Sequence, residues 1–165
     1  MFYFDETGLS LTPVVPYAWQ HPSAPQVLPS SRSSRLNVLG FMSCANRSFF
    51  QTVTGTVGST EVIAAFDAFA QQTQDEGAIR FVILDNASIH HSDAFRERLD
   101  TWLGQGLAVH YLPPYSPELN LIEILWRKIK YEWLPLSAYT SFSALKSALA
   151  SVLEQFGQKH RITFG

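Results

Sequence analysis

The hydrophobic period of this 165-residue chain changes at Ser59, and that change limits the fold more than any other feature. Before it, apolar and β-branched residues gather in short runs: "FYF" at 2–4, "LNVLGFMS" at 36–43 and "SFFQTVTGTV" at 48–57. Such runs suit strands, and the turn-like "CANR" at 44–47 makes a hairpin of the last two. The first run reads as strand, turn at Thr7-Gly8 and second short strand, followed by a Pro- and Ser-rich loop over 13–34. From Ser59 the pattern is helical, with Val62, Ala65, Phe66 and Phe69 at offsets of three and four and Ser59 or Thr60 as cap.

Beyond that point strands and helices alternate. Residues 78–84 form a nearly continuous apolar run, which predicts a buried strand. Ser92 opens a helix with Phe95, Leu99 and Leu103 on one stripe, closed by Gly104 and Gly106, and "LAVHYL" at 107–112 is a further strand. Ser116-Pro117 begins a helix predicted to run to about Trp133, and a last amphipathic helix covers 141–156. Hairpins require antiparallel pairs, and strands separated by helices require parallel ones. The expected class is therefore α/β, a mixed five-stranded sheet with helices on both faces.

The length suits one domain, with 46% hydrophobic residues to fill its core. A formal net charge of −2 supplies no global basic field, so nucleic-acid binding would depend on local patches. The single cysteine, Cys44, precludes an internal disulfide and leaves too few thiolates for structural zinc. There is no 18-residue apolar run and no signal-peptide pattern, so the expectation is a cytoplasmic protein without a membrane partner.

Two segments place acids directly behind apolar runs: "FYFDE", with Asp5 and Glu6, and "VILDNASIHHS" at 82–92, with Asp85. In open sheets with crossover helices, ligands collect outside the carboxyl ends of strands, where both aspartates are expected. Taken singly, Asp5 also reads as a turn residue and Asp85 as a loop residue capping a helix. "PPYSPELNLIEILWRKIK" offers two candidates for a third acid. Glu118 falls in the first helical turn, where free N–H groups favour a carboxylate. At about 100° per residue, Glu123 shares a polar stripe with Asn120, Arg127 and Lys130, opposite Leu121, Ile122, Leu125 and Ile129. It also reads as one half of a surface pair with Arg127. Three carboxylates without a cysteine cluster suit hard cations such as magnesium or manganese, and two such ions about 4 Å apart can drive phosphoryl transfer.

These blocks, in this order, resemble the DDE transposases, specifically the mariner-like and bacterial insertion-sequence branch described as DDE superfamily endonuclease. The resemblance rests on "FYFDETGLSL" with "PYAW" ending at Trp19, on "VILDNASIHHS" and on "YLPPYSPELNLIEILWRKIK" at 111–130. It implies a ribonuclease H-like fold over a single catalytic domain, 1–165. The implied triad is Asp5, Asp85 and Glu123, holding two Mg2+ or Mn2+ ions for DNA strand cleavage and strand transfer. It further implies transposon ends and target DNA as partners; a homodimer is a candidate assembly, and the expected location is the cytoplasm, in association with the bacterial nucleoid.

Asn86 and His90 match recurring family positions: Asn86 could orient Asp85, and His90 could contact phosphate or a metal-bound water. Arg127 and Lys130 are candidate phosphate contacts beside Glu123. Trp126 and Trp19 read as packing residues. Two departures stand out. Leu121 replaces a proline usual in the family block, and residues 86–122 make a slightly longer spacing than usual between the second and third acids. Only four residues precede Asp5, so the helix-turn-helix modules that recognise transposon ends are expected to be absent. The alternative function is a truncated, non-catalytic remnant that binds DNA or a full-length transposase. An RNA-directed ribonuclease H-like hydrolase is a further alternative, against which the "PPYSPELNLIE" block speaks.

Overall fold

Strand β1 (Phe2–Leu9) runs through Thr7-Gly8 without a turn, because β2 (Leu36–Met42) pairs with it antiparallel from Tyr3↔Met42 to Leu9↔Leu36. The two short strands expected at the N-terminus are thus one, since an unbroken ladder satisfies backbone groups that a turn would release. The computed structural model describes residues 1–12, 34–73 and 77–164. Most of the predicted 13–34 loop, with Trp19, lies outside the described residues.

Strand β3 (Ser48–Thr54) completes the predicted hairpin with β2, turning through Asn46 at φ 58°. Helix α1 (Ser59–Thr73) buries Val62, Ala65, Phe66 and Phe69 as its period requires. Strand β4 (Arg80–Leu84) then lies parallel to β1, and β5 (Leu107–Tyr111) parallel to β4. The sheet order is β3-β2-β1-β4-β5, with two antiparallel pairs and two parallel ones.

Alternation along the strands divides the core in two. On one face Phe2, Phe4, Leu39, Phe41, Val82 and Leu84 pack against α1, α2 (Asp93–Arg96) and α3 (Leu99–Gly104). Phe41 and Phe69 stack there with centroids 4.2 Å apart, and Phe4 meets both Phe41 and Phe66 at 4.7 Å. On the other face Tyr3, Leu9, Leu36, Val38 and Met42 pack against α4 (Ile122–Lys128) and α5 (Phe142–Glu154), the latter capped by Ser141. No helix among the described residues is long and apolar enough to cross a membrane.

Three local expectations are corrected. The stripe after Ser92 is two short helices, with Trp102 buried and Leu103 exposed, because the Trp102 ring packs on Phe66 and Phe95 while its Nε1 donates to Asp67 of α1. The run at 78–84 enters its strand only at Arg80, leaving Ile79 and Phe81 exposed. The helix predicted from Pro117 to Trp133 is broken: a 3-10 turn (Pro117–Leu119) precedes α4, which widens into a π turn over Ile129–Trp133. Asn120 causes the break. Its side-chain amide donates 2.9 Å to the Phe4 carbonyl, so it is buried and not on the polar stripe assigned to it.

Candidate active site

Asp5 does not end its own strand. It sits in mid-β1, at the level where the neighbouring β4 stops: the register Tyr3↔Ile83, carried on by two residues, sets Asp5 beside Asp85. Across the antiparallel pair Asp5 faces Gly40. A Cβ on Gly40 would lie 2.5 Å from Trp126 Cη2, so the missing side chain is what admits the indole. Trp126 Nε1 then donates 2.9 Å to Asp5 Oδ2. The indole both packs in the core and binds the acid, a polar role that a reading of Trp126 as packing alone had missed. Burial, then the charge of Glu6 and less strongly that of Asp85, push the Asp5 carboxyl up to about 7, against the lowering effect of its hydrogen bonds.

Asp85 is the first residue after β4, in loop backbone, and its side chain is about half exposed. Its Oδ1 accepts from the Ala87 N–H at 3.0 Å and lies 2.9 Å from His90 Nδ1, on the 3-10 turn Ser88–His91. The His90 bond, first among the causes, holds the Asp85 carboxyl below its ordinary range. His90 is itself buried, its ring edge-on to Phe4 and near Phe95, and its backbone carbonyl accepts from Tyr111 Oη. Its far nitrogen, Nε2, stands 3.5 Å from Glu6 Oε2. Burial opposes charge on the ring, but the bonds to Asp85 and Glu6 outweigh it and push the imidazole up to about 9.

The side chain bonded to Asp85 is thus His90, whereas Asn86 bonds elsewhere. The Asn86 amide donates to the Leu112 carbonyl and its oxygen pairs with His91 Nε2, tying the loop after β4 to the end of β5. Burial removes His90 from reach of a phosphate. Glu6 is the residue that the sequence reading left without a role. Its signal was strand parity: an acid on the same face as Phe2 and Phe4 enters an apolar core and needs a partner there.

Glu123 is exposed on α4 and shares a cavity of about 530 Å3 with Asp5, Thr7, Glu118, Arg127 and Lys130. Both candidate third acids therefore reach one cavity, Glu118 as well as Glu123. Lys130, half-buried, projects here from the π turn. Burial and then Arg35 pull its ammonium below the ordinary range, while Asp5 and Glu123 act against that. Asp85 lines a second cavity of about 420 Å3 with Asn86, Pro113, Pro114 and Tyr115.

Among the described residues, no three His, Cys, Asp or Glu side chains stand close enough together to hold a metal ion. Asp85 is occupied by His90, and three carboxylates drawn to one point would repel one another. The donor chemistry nevertheless fits a hard divalent cation: the candidates are carboxylate oxygens, and Asp5 is a half-buried acid whose surroundings resist its ionisation, a strain that a cation beside it would reverse.

A sequence profile described as DDE superfamily endonuclease matches residues 1–146. The chain belongs to that family. A bacterial relative, the uncharacterized protein y4pE/y4sA of Sinorhizobium fredii (strain NBRC 101917 / NGR234), is 31% identical over 75 residues, 46% of this chain and 51% of the relative. Among solved structures, the catalytic domain of Mos1 mariner transposase superposes with a TM-score of 0.60 at 17% identity, covering 93% of this chain and 69% of that one. The Mos1 strand transfer complex gives 0.61 at 15% identity, covering 96% and 49%. A simian T-cell lymphotropic virus intasome gives 0.58 at 14%, covering 98% and 49%. The fold of this DDE family member is therefore the ribonuclease H-like one that its motifs implied. The chain spans about half the length of the curated relative and of the Mos1 chain in the strand transfer complex.

Proposed function

We propose that this chain is the catalytic domain of a transposase, cutting DNA at transposon ends and joining them to target DNA by metal-dependent phosphoryl transfer. The observation that carries this reading is the pair Asp5 and Asp85, brought side by side by two parallel strands, with the half-buried Asp5 pushed up to about 7. Family membership supports it, and so do the Mos1 complexes, one with Mn and one with Mg, that share the fold.

In this reading Asp5, Asp85 and Glu123 hold two Mg2+ or Mn2+ ions. Bound there, the cations would polarise the scissile phosphodiester and offset the carboxylates' charge. Asp5 is fixed by its ladder and by Trp126, Asp85 by His90 and Ala87, while Glu123 approaches from α4 across the cavity. Lys130 and Arg127, on the same wall as Glu123, meet the DNA backbone. The acidic net charge leaves sequence recognition of transposon ends to other modules, and pairing of two ends calls for a homodimer.

The test is Mn2+-dependent nicking of transposon-end DNA, random duplex and RNA–DNA hybrid, with Asp85→Asn as control. DNA cleavage lost in the variant is expected. Preference for the hybrid would replace transposition with RNA-directed hydrolysis. Equal rates in both proteins would remove Asp85 from the mechanism, and no cleavage by either would favour the non-catalytic remnant.

A further inference from the structure

Asp85 and Asp5 differ in how the backbone holds them. Asp5 lies inside β1 and is paired with Gly40 of β2, whereas Asp85 follows the last residue of β4 and has only loop backbone beneath it. A half-exposed side chain on a loop samples several rotamers, and a ligand that must be ordered on binding weakens affinity. Something has to hold it.

The hold comes through the sheet from its other face. His90 Nδ1 reaches Asp85 Oδ1 at 2.9 Å, and no described residue donates to the other oxygen, Oδ2. The ring cannot turn freely: Phe4 and Phe95 flank it, and the backbone of His90 is bound at N–H by the Ala87 carbonyl and at C=O by Tyr111. At the opposite nitrogen, Glu6 Oε2 lies 3.5 Å away, and neither that oxygen nor Nε2 has a shorter partner, although both are buried. A buried carboxylate oxygen costs free energy unless something uses its charge, and the imidazole is the ion-pair partner that Glu6 has among the described residues.

We propose that Glu6 and His90 are positioning residues for Asp85: Glu6 orients the imidazole, and the imidazole clamps Oδ1 so that Oδ2 is presented to a divalent cation. This rests on the reading of Asp85 as a metal ligand. Hydrogen-bonded groups behind a ligand commonly set its affinity by about 10–100-fold. Adjacent residues of β1 then serve the site from opposite faces, Asp5 directly and Glu6 through His90.

The experiment measures Mn2+ affinity from the free-ion paramagnetic resonance signal, alongside nicking rate and melting temperature, in the full chain. His90→Phe and Glu6→Leu should each weaken Mn2+ binding toward a hundredfold, and Glu6→Gln, which keeps an oxygen facing Nε2, by about tenfold. The double variant Glu6→Leu/His90→Phe should bind no more weakly than His90→Phe alone, since Glu6 acts only through the ring. Folded single variants that bind Mn2+ like the wild type, or a double variant whose loss multiplies the two single losses, would overturn the proposal. Should Glu6→Leu not fold, Glu6→Gln is read against the wild type, and unchanged affinity removes Glu6. Asp85→Asn separates the two levels. If it binds Mn2+ normally, the metal-ligand reading fails; if it does not while the Glu6 and His90 variants do, only the positioning role fails.

Discussion

Asp5 and Asp85 are neighbours across the β1–β4 pair, yet their surroundings push them in opposite directions. Asp5 is half-buried beside Glu6 and Asp85 and is driven up to about 7, while Asp85, at the open end of β4, is held low by His90. The difference shows that a strand interior and a strand end supply different things to one site. The interior provides rigidity at the cost of desolvating a charge, and the end provides access but depends on side chains for its geometry. Environments that separate the acidities of two adjacent carboxyls are characteristic of sites where they take different roles.

The widest test of this comparison is activity. Asp5→Asn, Asp85→Asn and Glu123→Gln should each reduce Mn2+-dependent nicking about a thousandfold, as expected for losing about 4 kcal/mol of transition-state stabilisation. A Glu123→Gln enzyme at the wild-type rate would leave the two strand aspartates, with Glu118, as the acids to pursue.

Stability of the metal-free protein should split the pair by sign. A folded-state carboxyl at about 7 makes Asp5 stabilising only when protonated: its contribution is full below the ordinary value of 3.8 and is lost as pH rises through 7. At pH 8, Asp5→Asn should therefore raise the unfolding free energy by as much as about 4 kcal/mol. Asp85, held low, contributes above its ordinary range and loses that contribution only as pH falls through its depressed value. Asp85→Asn at pH 8 should lower stability by about 1–3 kcal/mol, because the buried ring loses the nearer of its two anions. His90, raised to about 9, stabilises fully below 6.5 and loses its contribution as pH rises through 9. Urea unfolding from pH 5 to 9 should show a decline that Asp5→Asn makes shallower; equal shifts in the two variants would erase the contrast.

Smaller effects sharpen the strand-interior side. Gly40→Ala sets a methyl 2.5 Å from the Trp126 ring and should cost about 1–3 kcal/mol by overpacking. Trp126→Phe keeps most of the volume but removes the donor to Asp5, costing about 1 kcal/mol and moving the Asp5 titration further upward, as carboxyl NMR would record. An unmoved titration would show that burial alone sets this acid.

Periodicity made the sheet and most of the helices legible before any coordinates. Val62, Ala65, Phe66 and Phe69 all fell on the buried face of α1, and "LNVLGFMS" and "SFFQTVTGTV" paired as the hairpin they suggested. The errors came where one distant contact overrode a local pattern. Asn120 reads as a helical residue, but its bond to Phe4 in β1, far away in sequence, interrupts the helix. Trp102, absent from the predicted stripe, is held inward by packing on Phe66 of α1 and on Phe95. Helical-wheel reasoning assumes one unbroken helix, so it held for Glu123 and Arg127 within α4 and failed for Asn120 just before it.

The sequence by itself determined the order of strands and helices, the two-faced α/β sheet and the identity of the candidate acids, because these follow from local period and from which residue types end each run. Only the tertiary structure decided how the acids are held: that Asp5 lies in mid-strand beneath Trp126, that Gly40 makes room for that indole, and that His90 and Glu6 reach Asp85 from the opposite face of the sheet. Each of these depends on the register between strands and on the packing of helices over them. Apart from the local His90–Asp85 bond, these pairings join residues far apart in the chain, and no local period encodes them.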